Sequence, residues 1–292
     1  MLFPLQYDEI IINALREDLG RAGDITSNLT VPAEARGEAL IVARQAGCIC
    51  GLEVARRVFF HLDPALAVEA LAHDGQRVGA GTPLLRLQGS ARSVLAGERT
   101  ALNFLGRLSG ISQATALGVD RLRGSQAHLV ATRKTTPGLR MLEKYAVVTG
   151  GGESHRFGLD DGVLIKDNHV ALAGGVVEAL RRVQEGAHHL LKVELEVDTL
   201  QQFREVLALV QQHQLRLDAL MLDNFSCADM KQAVGEAAGR VLLEASGGIT
   251  LDRLAEVAAT GVDLISLGSL THSVTNFDVA LDVVEQPLAT AR

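Results

Sequence analysis

Residues 191–225 read LKVELEVDTLQQFREVLALVQQHQLRLDALMLDNF and contain the repeating unit that decides the fold. Two nearly continuous apolar strands, 191–197 and 219–223, flank a helix-length amphipathic segment, 199–213. Alternation of this kind, with strands that are apolar on both sides, is typical of a parallel sheet whose two faces are buried. The stretch therefore predicts an α/β fold.

The same alternation continues along the chain from about residue 127 to residue 268. Its regularity suits either a doubly wound sheet or a (β/α) barrel. The predicted strands are 127–132, 162–166, 191–197, 219–223, 241–246 and 262–268, and the predicted helices between them are 174–186, 199–213, 227–238 and 250–260.

The first 108 residues show no such repeat. Helical periodicity over 7–20 ends at Gly20, and strand-like segments lie within 37–51 and 75–90. Residues 93–122 are predicted to be helical, with a break near Ser109 and Gly110. We expect this helix to lie at the boundary between two domains.

Composition excludes several functional classes. The 292 residues carry a net charge of −7 and only 3% aromatic residues, which is atypical of a general nucleic-acid binder. The beginning of the chain does not read as a signal peptide, and no apolar run reaches membrane-spanning length. The three cysteines, Cys48, Cys50 and Cys227, lack zinc-site spacing, and we expect buried thiols in a reducing cytoplasm.

Polar residues follow the predicted strands. In a (β/α) barrel the carboxyl ends of the strands meet at one face, and the active site lies there. The run Lys166–His169, which ends the strand in GVLIKDNH, is therefore expected to face a pocket shared with the other strand ends. Those ends carry Thr132–Lys134, Glu194 and Glu196, Asp223 and Asn224, Glu244–Gly248, and Gly268.

The residue types at these ends indicate the kind of ligand. Arginine and lysine suit carboxylate and phosphate groups, and buried carboxylates are usually paired or bind metal, here Mg²⁺ shared with a polyphosphate. Lys166 itself has three interpretations: a Schiff-base nucleophile, an anion ligand or an ion-pair partner. Together with glycine-rich turns after the last two strands, the pattern favours a phosphorylated sugar that meets an acidic small molecule.

Long motifs also resemble the quinolinate phosphoribosyltransferase family over nearly the whole chain. The most specific is TRKTTPGLRMLEKYAVVTGGGESHRFGLDDGVLIKDNH, residues 132–169. The others are EDLGRAGDITS (17–27), ERTALNFLGRLSGI (98–111), VELEVDT (193–199), MLDNF (221–225), EASGGI (244–249) and GVDLISLGSLTHS (261–273).

The resemblance implies a fold and a reaction. The fold is an N-terminal open-faced α/β sandwich, residues 1–108, plus an incomplete parallel α/β barrel of the type II phosphoribosyltransferases, residues 109–273; the segment 274–292 returns to the first domain. The reaction is the conversion of quinolinate and phosphoribosyl pyrophosphate to nicotinate mononucleotide, pyrophosphate and CO₂ in NAD synthesis, with Mg²⁺. The family works as a homodimer, in some members a hexamer, with shared active sites.

The resemblance also implies residue roles. The quinolinate pocket contains Arg133, His155, Arg156 and Lys166, with Lys134 between the two substrates and Arg99 from the neighbouring subunit. Glu196 and Asp223 meet the ribose hydroxyls and Mg²⁺, directly or through water or substrate, and Glu194 pairs with a site cation. Lys134, Lys166, Glu196 and Asp223 are the expected catalytic residues. The 5′-phosphate is expected on Ser246, Gly247, Gly248 and Gly268, with His272 nearby.

Three alternatives stay open on the sequence. The first is a relative with another acidic acceptor, such as a ModD-type protein of molybdate operons. The second is a Schiff-base lyase built on Lys166. The third is a regulator that binds a phosphosugar without turnover, which leaves the dicarboxylate pocket unexplained.

Overall fold

The computed structural model describes residues 2–284, so the last eight positions of the predicted returning segment, 285–292, lie outside the described residues. The helices are α1 (Asp8–Leu19), α2 (Ile25–Thr30), α3 (Leu52–Leu62), α4 (Ala91–Arg121), α5 (Arg140–Thr149), α6 (Asp167–Ala173), α7 (Val176–Gly186), α8 (Leu200–His213), α9 (Cys227–Ala237), α10 (Leu254–Ala258) and α11 (Ser269–His272). The strands are β1 (Arg36–Ala43), β2 (Gly47–Cys48), β3 (Ala67–Ala70), β4 (Arg77–Val78), β5 (Pro83–Ser90), β6 (His128–Ala131), β7 (Glu153–Ser154), β8 (Val163–Ile165), β9 (Val193–Val197), β10 (Ala219–Asp223), β11 (Leu242–Ser246), β12 (Leu264–Leu267) and β13 (Val279–Val284).

The first of two compact units comprises residues 1–116, 136–151 and 273–292. Its antiparallel sheet has the order β13-β1-β5-β3, so the strand near the C-terminus pairs with the first strand of the chain. Ile41 of β1 and Leu87 of β5 are fully buried in its core. Residues 136–151 group with this unit, and the functional division of the chain at residue 108 stays a prediction.

Helix α4 runs from Ala91 to Arg121 without the break predicted near Ser109 and Gly110. A Cβ atom on Gly110 would lie 2.3 Å from the carbonyl oxygen of Thr275, so this glycine permits a close backbone approach. The hydroxyl of Ser109 accepts from the N–H of Cys50 and donates to its carbonyl, each at 3.0 Å. Ser109 and Gly110, which suggested a break, therefore let other segments of the chain pack closely against α4.

The cysteines behave as buried structural residues. Cys48 and Cys50 are buried, Cys227 is partly buried, and all three are free thiols, as the sequence predicted. Burial, and then the charge of Asp74, raise the pKa of the Cys50 thiol well above its ordinary value. A neutral, inaccessible thiol is unreactive.

The second unit comprises residues 117–135 and 152–272 and contains the parallel sheet. Its seven strands have the order β7-β6-β12-β11-β10-β9-β8, with β7 and β8 at the two edges. Because these edge strands are not paired with each other in the described residues, the barrel is open. The predicted combination of an incomplete parallel barrel with a separate N-terminal α/β unit is thus confirmed.

The predicted strands of the barrel are all present, with small differences at their ends. Strand β8 ends at Ile165, so Lys166 is the residue before α6 and not a strand residue as predicted. The predicted helix 250–260 is a 3₁₀ turn, Leu251–Arg253, followed by α10. Within residues 2–284 no helix has the length and apolar character needed to cross a membrane.

Candidate active site

Strand register places the polar residues of the barrel side by side. Glu196 of β9 pairs with Met221 of β10, and Met221 pairs with Glu244 of β11; one step closer to the carboxyl ends, Asp223 pairs with Ser246. Paired residues share a face of the sheet, and residues two apart on one strand share it as well. The register therefore puts all five side chains on one face of the sheet.

Lys166 forms an ion pair with Glu196, Nζ to Oε2. The side chain of Lys166 is 44% exposed and that of Glu196 only 12% exposed, so the pair spans the boundary between solvent and the barrel interior. The ion-pair interpretation of Lys166 is therefore the one that the structure shows. A paired ammonium is a poor nucleophile, which disfavours the Schiff-base alternative.

The three residues after Lys166 begin helix α6. The N–H of Lys166 donates to Nδ1 of His169 at 2.9 Å, and the N–H of Asn168 donates to Oδ1 of Asp167 at 2.7 Å. These three side chains are exposed. The prediction that the whole run 166–169 faces one pocket is corrected: within this run only Lys166 reaches a barrel carboxylate, and the side chains of Asp167 and His169 accept from backbone N–H groups at the helix start.

Two guanidinium groups lie close together. Burial, and then the positive charge of Arg133, lower the pKa of Arg156. The Nε of Arg133 is buried and has no hydrogen-bond partner among residues 2–284. Arg156 Nη1 donates to the carbonyl of Gly162 at 3.3 Å. Two neighbouring, partly buried cations with an unused buried donor form a site that an anion would stabilise.

His155 lies against two carboxyl groups. Its Nε2 is 2.8 Å from Oε2 of Glu194 and 3.4 Å from Oε2 of Glu244. Glu194 is 6% exposed and Glu244 is fully buried. Glu194 was predicted to pair with a site cation; its partner in the structure is the imidazole of His155, so the pairing holds a cation only when that ring is protonated. Burial, and then the charge of Glu194, raise the pKa of Glu244 to about 7, while His155 acts in the opposite direction.

A second acidic group lies near the carboxyl ends of β9 and β10. One carboxylate oxygen each of Glu196, Asp198 and Asp223 lies within 4.8 Å of the others. Oxygen ligands at this spacing suit a hard divalent cation such as Mg²⁺. Glu196 and Asp223 were expected from the sequence, whereas Asp198 was not.

The glycine-rich turns take conformations that favour glycine. Gly247 and Gly248 have φ angles of +86° and +58°, and a Cβ on Gly247 would lie 2.3 Å from Oδ1 of Asn224. The N–H of Asn224 donates to the carbonyl of Ser246 at 2.9 Å, which ties the ends of β10 and β11 together. Such a turn presents backbone N–H groups that can bind phosphate.

Lys134 lies beside the last turn of the barrel. A Cβ on Gly268 would lie 2.8 Å from Cδ of Lys134 and 3.1 Å from Nε2 of His272. The Thr271 hydroxyl donates to the Lys134 carbonyl at 2.7 Å. Arg99, in contrast, is an exposed residue of α4 in the first compact unit.

One cavity is lined by only some of the residues predicted to bind the acceptor. It has a volume of about 360 Å³, and the first residues of β8, β9 and β10 line it, together with His155 and Arg156. Glu194 and Glu244 form part of its wall, whereas Arg133 and Lys166 are not among its lining residues.

Three residues had no predicted role in the site: Asp198, which the sequence analysis did not single out, and Asn224 and Glu244, which it named only as residues at strand ends. Glu244 had a signal, because a glutamate inside an otherwise apolar strand, LLEAS, has to be buried. Asp198 directly follows the VELEV strand and shares its carboxyl end. Asn224 has a φ angle of +57°, which asparagine tolerates. The sequence placed it at a strand end but did not indicate that it would contact the glycine turn.

Comparisons with known proteins agree on one family. The family models "Quinolinate phosphoribosyl transferase, C-terminal domain" and "N-terminal domain" match residues 111–282 and 24–109. The chain is 44% identical to "Nicotinate-nucleotide pyrophosphorylase [carboxylating]" of Mycobacterium leprae, over 97% of this chain and 100% of that protein. It is 40% identical to the chloroplastic protein of that name from Arabidopsis thaliana, over 94% of this chain and 82% of the relative.

Solved structures agree with the sequence relatives. The nicotinate-nucleotide pyrophosphorylase from Francisella tularensis superposes with a TM-score of 0.91 at 36% identity, over 97% of this chain and 98% of that chain. Similarity at this level covers both compact units and therefore the entire architecture described above.

Proposed function

This chain belongs to the quinolinate phosphoribosyltransferase family, and from that premise we propose that it makes nicotinate mononucleotide, pyrophosphate and CO₂ from quinolinate and phosphoribosyl pyrophosphate in NAD synthesis. The observation that carries the substrate assignment is the pair of neighbouring, partly buried guanidinium groups of Arg133 and Arg156, with the buried Nε of Arg133 lacking an acceptor among the described residues. Quinolinate offers two adjacent carboxylates, which match two adjacent cations.

Binding of the acceptor falls to the basic residues. Each charge-assisted hydrogen bond to a carboxylate is worth about 1.5–3 kcal/mol, so Arg133, Arg156 and His155 together supply most of the affinity. Lys134 would lie between the acceptor and the phosphorylated sugar, and its contact with Gly268 at the last strand end supports that role. Lys166 completes the acceptor pocket. In that role it exchanges its ion pair with Glu196 for a substrate carboxylate.

In the transfer step, the pyridine nitrogen donates its electron pair to C1′ while the C1′–O bond breaks towards pyrophosphate. Positive charge develops at C1′ in the transition state, and the carboxylates of Glu196 and Asp223 stabilise it electrostatically. These two groups also accept from the ribose hydroxyls. The resulting pyridinium takes up the electron pair of the bond to the 2-carboxylate, CO₂ leaves, and a proton replaces it. The protein's contribution is positioning and charge.

The acidic group of Glu196, Asp198 and Asp223 fits Mg²⁺, because three carboxylate oxygens lie within 4.8 Å of one another. When bound, Mg²⁺ would neutralise charge on the pyrophosphate leaving group. The turns at Gly247–Gly248 and Gly268, with Ser246, would hold the 5′-phosphate through backbone N–H and hydroxyl groups.

The assembly is part of the same proposal. We propose a homodimer, as the family resemblance implies, in which exposed Arg99 of each subunit contributes to the active site of the other. Hexamers stay an alternative. A cytoplasmic location, expected from the free cysteines, stays a prediction, and the Arabidopsis relative carries the word chloroplastic in its name.

A product assay tests the proposal. Purified protein is incubated with Mg²⁺, phosphoribosyl pyrophosphate and either quinolinate or nicotinate, and nicotinate mononucleotide and CO₂ are measured. We expect product from quinolinate only. The substrate assignment would be overturned if product formed from nicotinate but not from quinolinate, or if folded protein formed no product from either. The alternative would then be a relative with another acidic acceptor.

A further inference from the structure

Glu244 is a buried carboxyl group without a cation of its own. It is fully buried, and neither of its side-chain oxygens makes a well-formed hydrogen bond among residues 2–284, although the Ser266 hydroxyl lies close enough to lower its pKa; Oε1 of Glu194 has no hydrogen-bond partner in these residues either. The charged groups that act on it are Glu194, from β9, and His155, after β7. Buried carboxylates without partners are strongly destabilising, so this group of three requires an explanation.

Two ionised carboxylates and a neutral imidazole would give the floor of the proposed acceptor pocket two negative charges. Such a floor would repel a dicarboxylate substrate. The raised pKa of Glu244, about 7, means that it holds a proton through much of the neutral range, while Glu194 stays close to the His155 ring. One carboxylate oxygen of Glu194 lies within 4.8 Å of one of Glu244, so a protonated Glu244 has Glu194 within reach as an acceptor.

We propose that Glu244 is a positioning residue of the acceptor site: it donates to Glu194, and Glu194 in turn holds the imidazole of His155 at Nε2 for binding of a substrate carboxylate. This inference rests on the proposed function. The chain of contacts joins three separate elements, β11, β9 and the segment after β7. A carboxylate that accepts from one ring nitrogen fixes the tautomer and orientation of a histidine. Glu244 thereby acts on the substrate without touching it.

The kinetic test compares two substitutions of Glu244. Glu244→Met keeps the approximate volume and removes the donor, whereas Glu244→Gln keeps a donor in the same place. We expect the Met variant to raise KM for quinolinate at least 10-fold, with KM for phosphoribosyl pyrophosphate within 2-fold of wild type. The Gln variant should restore KM for quinolinate to within 3-fold. Met221→Leu, at the register position between Glu196 and Glu244, controls for altered packing and should change neither KM.

Equal increases of both KM values in Glu244→Met, or no increase for quinolinate, would overturn the proposal. A Gln variant as impaired as the Met variant would do the same, because the donor would then be irrelevant.

A spectroscopic measurement separates this inference from the proposed function. In substrate-free protein labelled with ¹⁵N-histidine, the His155 ring signals are assigned by their loss in His155→Gln. We expect Glu244→Met to shift them and Glu244→Gln to leave them near their wild-type positions, even if wild-type protein should make no product. Unchanged His155 signals in the Met variant would contradict the proposed contact chain.

The same three side chains could instead hold a divalent cation, since one ligand atom from each lies within 4.8 Å of the others. A Zn²⁺ titration followed by dialysis and metal analysis distinguishes the proton-linked contact chain from a metal site. No retained metal agrees with a proton-linked chain. One equivalent retained by wild type and lost in Glu244→Gln would overturn the positioning role.

Discussion

Lys166 and Glu196 form an ion pair that joins the end of β8 to the middle of β9. Lys166 directly follows β8, and Glu196 lies on β9, the neighbouring strand of the open barrel. Under the proposed function each partner meets a different substrate, so we expect this ion pair to couple the acceptor and sugar sites.

Lys166→Ala is expected to lower kcat/KM for quinolinate by about 30- to 1000-fold, because losing one close charge contact to a carboxylate costs roughly 2–4 kcal/mol. Steady-state kinetics beside circular dichroism measure this. Lys231→Ala, an exposed lysine on α9, is the matched control and should leave kcat/KM unchanged. Near-normal turnover in Lys166→Ala would remove Lys166 from the pocket.

Arg133→Ala is expected to reduce kcat/KM for quinolinate to a similar extent, mainly through a higher KM. The reason is that its guanidinium has a buried donor available for the substrate. Equilibrium binding of quinolinate by calorimetry should weaken in parallel with KM. Arg121→Ala removes an arginine that pairs with exposed Asp252, and we expect an effect below about 0.5 kcal/mol. Equal binding by both variants would contradict the assignment of Arg133.

Asp198→Asn is expected to raise the Mg²⁺ concentration for half-maximal activity roughly 10-fold, since one anionic oxygen of the acidic group becomes neutral. Activity measured across a Mg²⁺ series at saturating substrates gives this value. Asp252→Asn, whose side chain is 88% exposed, is the control with the same change of charge. An unchanged Mg²⁺ requirement would leave Asp198 outside the metal site.

Arg99→Ala and Lys166→Ala proteins, each strongly impaired alone, are expected to recover activity when their subunits are exchanged. If Arg99 acts in the partner's site, each hybrid dimer has one intact site, and random exchange gives about one quarter of wild-type activity. Activity after mixing, with exchange verified by mass-tagged subunits, is the measurement. Arg133→Ala mixed with Lys166→Ala should not recover, because both residues belong to the same barrel. Equal recovery in the two mixtures would refute the shared site.

Glu244 should make stability depend on pH. The raised pKa, about 7 against an ordinary 4.5, means that the folded state binds the proton more tightly than the unfolded state. The free energy of unfolding is therefore highest below about pH 4.5, falls as the pH rises through 7, and is then constant. Glu244→Gln cannot titrate, so its Tm advantage over wild type should grow by on the order of 5 °C from pH 5 to pH 8. Met221→Leu should show no such trend, and a constant difference for Glu244→Gln would argue against a buried, protonated Glu244.

The barrel strands were predictable because a buried parallel strand has to be apolar and short, and these properties are local. The positions of Arg133, Glu196 and Asp223 at strand ends followed from the same pattern. The break predicted in α4 was wrong. Sequence alone cannot distinguish a glycine that interrupts a helix from one that, like Gly110, lets the backbone of Thr275 pack closely against the helix. Lys166 was placed on a strand because the apolar run does not reveal where α6 begins.

The sequence by itself determined the family, the order of strands and helices, and the residue types at each carboxyl end, since these depend on short-range periodicity and on long, specific motifs. Only the tertiary structure decided which of those side chains meet. His155, Glu194 and Glu244 are far apart along the chain and come together through the register of β9, β10 and β11 and the path after β7. Register is set by packing across the whole barrel, so no local pattern could have shown that one of these carboxyl groups lies buried beside another and holds a proton near neutral pH.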